Sequence, residues 1–440
     1  MASNAPGRLD RLYDYITGDE DARVCKDIPD AACHHQPRNY FAYLVANLLN
    51  KVADELTSAK LVLPWLLGTL GAPVALTGFL VPIRESGVLL PQLVVAAMVR
   101  QRPHRKGVWL LGAFLSALAL AGMALVALTT DGTLAGWLII GLLVVYSLAR
   151  GLCSVSAKDV LGKTVSKSRR GNLMGWSAGI GGLVVVAIGL GLSLGNLADA
   201  DVSLFGWLFL ACAVLWIAAL LVFAAIHEEP GATEGGGNAL SVALGYLGLL
   251  RSDTRFRHFV TARLLLLSVA LATPYYVLLA QNHTGNGLDG LGWLIIATGV
   301  GASISSPVWG RMGDRSSRSV MALASASQGL LGILVFLCVV AGVPLIGNHY
   351  FWAAVMIALT VFHAGVRLGR KIYLVDMADG GNRAAYVALS NTLIGVAMLG
   401  AGFIGLIGDW LGVPWLVLIL ALASLLAARY AWQLEEVSEG

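Results

Sequence analysis

The sequence predicts an all-α integral membrane protein: twelve transmembrane helices in two six-helix, pseudo-symmetric bundles. Three observations predict it. Of 440 residues, 57% are hydrophobic and only 13% are charged, about half the charge density of a soluble domain. Twelve apolar runs approach the roughly 20 residues needed to cross a hydrocarbon core. The connectors between those runs are alternately rich in Lys and Arg and empty of them. What is left over is a tail, one central loop and short links, too little for a soluble catalytic domain. No enzyme is expected.

The spans are set by apolar runs between charged or Gly/Pro punctuation. The first runs from Tyr43 to Leu70 and ends at the turn signal Gly71-Ala72-Pro73, although hydropathy alone favours Leu61 to Ile83. The rest of the first half reads Val74–Met98, Val108–Leu128, Leu134–Ser156, Leu173–Leu194 and Leu204–Ile226. The second half reads Phe259–Ala280, Leu291–Met312, Val320–Ala341, Phe351–Tyr373, Ala385–Ile407 and Leu411–Ala428. Residues 1–40 form a tail too polar for a signal peptide, so the first apolar helix is expected to serve as its own insertion signal. Residues 41–227 and 257–432 are the two bundles, 228–256 the linker and 433–440 a short closing tail. The linker opens acidic and Gly-rich, then Ala239–Leu250 reads as an amphipathic helix on the membrane surface.

Orientation is set by the basic residues. Connectors after odd-numbered spans hold none, while those after even-numbered spans hold Arg100, Arg102, Arg105, Lys106, Lys163, Arg169, Arg315, Arg318 and others. Both termini are therefore expected in the cytoplasm, with an inner or plasma membrane as the location. A weak repeat supports the six-and-six division: Arg150 precedes Asp159 by nine residues and Arg367 precedes Asp376 by nine, with Tyr146 and His363 four before each Arg. Gly171, Gly175, Gly179 and Gly182 in the fifth span suggest a close-packing seam. Three of the five cysteines lie in apolar spans, and nothing suggests a disulfide framework. Cys25 with Cys33-His34-His35 matches no zinc spacing, so no metal site is expected. The absence of a Gly-rich phosphate loop ending in Lys-Ser/Thr speaks against ATP as the energy source.

Gly310-Arg-Met-Gly-Asp-Arg-Ser-Ser-Arg318, ending the eighth span, resembles the inter-helix signature of the major facilitator superfamily. The resemblance implies a gating role for Gly310, Asp314, Arg315 and Arg318, as a charge clasp that breaks when the protein changes state. The matching connector after the second span, Arg100-Gln-Arg-Pro-His-Arg-Lys106, keeps the cations but has no acid. Arg150 resembles the fourth-span Arg that the family uses in proton coupling, while the fifth-span Gly-Pro motif of drug antiporters is missing. The family implies alternating access between two six-helix bundles.

Charges within a span are costly and mark pathways or pairs. Asn47, Lys51, Asp54 and Ser58 form one polar stripe on the first span, with Glu55 beside it. Arg84 and Glu85 sit midway along the second, and successive residues diverge by about 100°. One is expected to face the cavity and the other a neighbouring helix. Arg150, His363 and Arg367 make a third cluster, and Tyr275 with Tyr276 come after Pro274 in a possible kink. Asp54, Glu55 or Glu85 is the expected proton carrier. Lys51–Glu55 can also be read as a fixed intrahelical pair, and Arg150, Arg367 and Arg263 as side chains snorkelling to lipid phosphate.

These residues point to a secondary transporter of a small polar or charged solute, with the proton as coupling ion and the bilayer as surroundings. The excess of basic residues leans toward an anionic or zwitterionic solute. Two alternatives stand beside it, an exporter of amphiphilic drugs or lipids and a non-transporting sensor or partner-binding protein. No cofactor and no nucleic acid are called for, and one chain with two halves suffices as a monomer.

Overall fold

The computed structural model describes Tyr13, Ile28 and residues 33–195, 202–231, 233, 245–378 and 383–437. Among them every regular element is a helix. The first span is two pieces, α1 (Gln36–Leu56) and α2 (Val62–Thr69), separated by a turn. Then come α3 (Val74–Arg100), α4 (Lys106–Thr129), α5 (Gly132–Thr164), α6 (Lys167–Leu194) and α7 (Ser203–Ala224). After the short α8 (Leu249–Ser252), the seventh span is α9 (Thr254–Leu265) continued by α10 (Leu267–Thr284). The remainder is α11 (Leu288–Gly313), α12 (Ser317–Val340), α13 (His349–Met377), α14 (Arg383–Ala401), α15 (Gly405–Leu411) and α16 (Val413–Trp432).

Ten of these helical stretches are long and apolar enough to cross a membrane. The broken α1–α2 pair and α3 take the places of the first two spans. Several helices run beyond the apolar stretch. The fourth continues from Ser156 to Thr164 and so carries Asp159 on the same rod as Arg150. Amphipathic turns at the membrane surface prolong a helix without an apolar signal, which is why hydropathy cut it short.

Helix contacts repeat between the halves. α4 lies on α7 as α12 lies on α16, and α3 lies on α5 as α11 lies on α13. The two interfaces between the halves are exchanged copies of each other, α6 against α11 and α14 against α3. That is pseudo-twofold symmetry. Without a hydrophobic drive between helices in lipid, close packing must hold each bundle. In the first, the Trp109 ring stacks on Phe223 at 3.8 Å; in the second, Phe259 stacks on Tyr373 at 5.2 Å.

Four expectations need amending. The first span is broken at Thr57–Leu61, where Thr57, Ser58 and Lys60 interrupt the apolar run. Of Ala239–Leu250, residues 239–244 lie outside the described residues, and the remainder is a turn leading into α8. Gly171, Gly175, Gly179 and Gly182 form no seam, for a Cβ at any of them would meet nothing within 4 Å. The tight contact comes later on that helix, at Gly189, whose added Cβ would lie 3.2 Å from the Gly292 carbonyl. Cys33 is disulfide-bonded, although composition suggested no pairing. Tyr13, from the tail, is buried: the Gln36 amide donates to its hydroxyl at 2.5 Å and its ring meets Tyr40 edge-on.

Candidate functional site

The break in the first span places a charged turn inside the bundle. Thr57 donates its hydroxyl to the Ala53 carbonyl, and the Leu63 N–H returns to the Ser58 carbonyl at 3.0 Å, so the chain turns without stranding its backbone groups. Lys60 projects from this turn. Interrupted helices of this kind line binding sites in repeat-built membrane proteins.

One turn before the break, Asp54 is held from three sides. Arg150 donates to one carboxylate oxygen at 2.5 Å, while Arg84, at 3.3 Å, and the Tyr146 hydroxyl, at 2.5 Å, donate to the other. Aromatic faces support both guanidinium groups, Arg84 over Tyr146 and Arg150 over Trp216 at 4.9 Å. Two cations on one carboxylate leave this cluster positive. Arg150 does not snorkel.

Arg84 and Glu85 part company as successive helix positions must. Arg84 turns to Asp54 within the first bundle, and Glu85 pairs with Lys60 at 2.9 Å. Lys60 in turn donates to His363 Nε2 at 3.3 Å, in the second bundle. A chain of polar contacts therefore crosses from one half to the other at mid-depth. The far nitrogen of His363, Nδ1, is buried and has no hydrogen-bond partner.

Between the halves lies a cavity of about 510 Å³, with Lys51, Glu55, Lys60, His363 and Arg367 on its walls. α1, its terminal turn, α6, α10, α11 and α13 all contribute to it. Gly181 gives the Lys51 stem room, since a Cβ there would touch it at 3.4 Å. Lys51 and Glu55 make no ion pair with each other, and Glu55 is exposed to the cavity. Thr298, Ser303, Ser305 and Thr360 donate their hydroxyl hydrogens to carbonyls of their own helices. The charged donors on the walls are thus lysine and arginine.

Not every expected residue joins this site. Tyr275 and Tyr276 are 1% and 2% exposed, packed in the apolar core and away from the cavity wall. Pro274 leaves the helix running, and the break in the seventh span comes earlier, at Leu266. Arg263 is buried, bonding Ser390 and the Asn391 side chain. In the signature, Asp314 and Arg315 are exposed, a Cβ on Gly310 would meet nothing within 4 Å, and Arg318 pairs with Glu436 at 2.9 Å. The acid missing from the first-half connector comes from elsewhere. Asp159 pairs with Arg105, and Glu228, its side chain 1% exposed, accepts from the Arg105 and Lys106 N–H groups and from Lys163 at 3.1 Å.

Away from the chain ends, the halves are latched. Gln281 donates to the Trp65 carbonyl and Thr69 hydroxyl, at 3.0 and 2.9 Å, and the Trp65 indole reaches the Asn286 carbonyl. Asp409 accepts from the Val74 and Ala75 N–H groups at 2.8 and 3.1 Å, capping α3 from the other bundle. Sequence reading missed Lys60 and Tyr146 as site residues, and it missed this latch. Lys60 carries a charge beside the apolar run from Leu61, a signal that belonged with Arg84 and Glu85.

Residues 259–439 match the family model of the Major Facilitator Superfamily. Comparison with curated protein sequences yields no match. The whole chain is similar in fold to a D-xylose–proton symporter, with a TM-score of 0.68 at 14% identity over 91% of this chain and 99% of that one. It is also similar to the nucleoside transporter NupG, at 0.67 and 11% over 89% and 98%. The inward-open xylose transporter XylE from E. coli gives 0.65 and 13% over 90% and 97%.

Proposed function

We propose that this chain, a multi-pass membrane protein with the transporter fold of the Major Facilitator Superfamily, is a proton-coupled secondary transporter. It moves a small polar or charged solute by alternating access of the cavity to the two faces. The observation that carries this reading is the Glu85–Lys60–His363 chain. It links the bundles beside the cavity, so any motion that parts them must break or remake a charged contact.

Glu85 is the proton carrier in this scheme. While Lys60 lies beside it the carboxylate is favoured, and drawing Lys60 away toward His363 favours protonation. With both termini cytoplasmic, the latched face is the outer one and the conformation is inward-facing. Asp54 keeps its two arginines apart and holds the first bundle in shape. Asp314, Arg315 and Arg318 would close the opposite face in the other state.

The solute comes from a thermal-shift screen of organic anions, sugars, amino acids and amphiphiles. A ligand at 100 times its Kd stabilises by about 2.7 kcal/mol. With that solute in proteoliposomes, Glu85→Gln should abolish accumulation driven by a proton gradient while solute–solute exchange persists. Accumulation that survives the substitution would remove Glu85 from the coupling.

A further inference from the structure

We infer that the central cavity takes an organic dianion, a dicarboxylate or a phosphomonoester. The inference rests on the transporter reading for its purpose, but its argument is a count of charge within the bundle. Asp54 is claimed by Arg84 and Arg150, and Glu85 by Lys60. Among the described residues, Lys51, Arg263, Arg367 and Arg370 have no carboxylate within ion-pair distance. Against them stands one further acid at the cavity, Glu55.

Unmatched cations at this depth are expensive unless something neutralises them. Their placement says what that is. His363, Arg367 and Arg370 recur at the i, i+4, i+7 spacing that keeps side chains on one face of α13. Lys60 reaches the top of that row through His363. Arg263 lies off the cavity wall, a buried guanidinium bonded to the neutral Ser390 and Asn391, so it brings no carboxylate that could offset the cations of the cavity. On the facing wall, Lys51 has Glu55 one turn away. A solute therefore meets Arg367 on α13 and Lys51 on the facing wall, the two lining cations that no carboxylate pairs, with Glu55 as the one lining acid beside them.

The hydroxyls of the cavity wall sharpen the choice. Thr298, Ser303, Ser305 and Thr360 donate to their own helices and so present lone pairs, leaving ammonium and guanidinium groups as the charged donors. Guanidinium forks match carboxylate and phosphate oxygens two at a time. At a water's share of about 30 Å³, the cavity holds a solute of about a dozen heavy atoms with some water. That is the size of a four- to six-carbon dicarboxylate or a triose phosphate.

The test is titration calorimetry on the purified full-length chain at low salt, with succinate and glycerol 3-phosphate as dianions. Monomethyl succinate, xylose and putrescine supply the monoanion, neutral and dication controls. At least one dianion should bind, with the monoanion about tenfold weaker and the others silent. Arg367→Gln, at an exposed position, should weaken that dianion at least about tenfold, and Glu55→Gln should tighten it. The ratio between the two dianions tells carboxylate from phosphate. Binding of xylose or putrescine in preference, or a dianion affinity indifferent to Arg367→Gln, overturns the inference. So does silence from both dianions in protein with a normal melting transition. Dianion binding without exchange in proteoliposomes would instead sink the transporter reading and leave the anion site standing.

Discussion

Asp54 is the residue on which the first bundle's interior charge turns. Its side chain is 19% exposed, and those of Arg84 and Arg150 are 22% and 17% exposed. Removing the carboxylate's charge would leave two guanidinium groups facing each other at membrane depth. Asp54→Asn should therefore lower stability by about 3–5 kcal/mol, the cost of breaking a buried pair, read as a drop in melting temperature. Adding Arg150→Met should recover most of that loss. A single variant that melts like the parent would show the cluster to be fully solvated. Charges such as Asp54, Arg84, Glu85 and Arg150 were legible in the sequence because an ionisable residue in an apolar run stands out. Their partners were not. Nothing in the local pattern says that Arg84 turns to Asp54 while Glu85 reaches Lys60, because those choices depend on helix rotation. For the same reason Pro274-Tyr275-Tyr276 looked like a lining and is core.

At the scale of the element, two helix contacts invite a test because backbone meets backbone. A Cβ on Gly78 would lie 2.4 Å from the Gly402 carbonyl oxygen, and one on Gly292 would lie 2.6 Å from the Gly189 oxygen. The second lies in the α6–α11 interface, and the first continues the α14–α3 interface one residue past the end of α14. Gly78→Ala or Gly292→Ala should hold the latched face ajar, seen as faster hydrogen exchange over residues 62–69 and 281–286. Unchanged exchange would mean that the helices slide to make room. The small-residue signal was legible as a type of contact but not in place, since helix rotation decides which glycines face a partner. The seventh span offers a second test. Asp253 caps α9, accepting the Phe256 N–H at 2.9 Å and a bond from the Tyr386 hydroxyl. Burial alone would raise its carboxyl, but the Tyr386 bond, the Phe256 and Arg255 N–H groups and the Arg255 charge hold it below the ordinary value. Its contribution is thus present above the usual aspartate range near 3.9 and is lost as pH falls through the lower, folded value. Asp253→Ala should cost about 1 kcal/mol at neutral pH. The gap between the two melting curves should close only in strong acid.

For the whole molecule, the paired bundles were readable from the alternation of basic connectors and the Arg150/Asp159 and Arg367/Asp376 echo. The structure extends that echo to the chain segments leaving each bundle. Glu228, just past α7, grips the connector before α4, and Glu436, just past α16, grips the connector before α12. No motif scan joins residues so far apart, because only the closed bundle brings them together. Glu228→Gln should destabilise the chain by about 1–3 kcal/mol, since a buried acceptor of charged and backbone donors is lost. An unaltered melting temperature would show that Asp159 alone holds Lys163.

The broken first span has a consequence for how this chain is made. Neither α1 nor α2 is among the helices long and apolar enough to cross a membrane, and α1 carries Lys51, Asp54 and Glu55. Of the partners that neutralise Asp54, Arg84 emerges from the ribosome with the next span and Arg150 only with the fourth. The first span is therefore expected to settle late, once the helices that carry Arg84 and Arg150 have been translated. In a chain truncated before α5, cysteines placed in residues 36–69 should stay accessible to a water-soluble cysteine reagent, and full protection there would show that the first span inserts without Arg150.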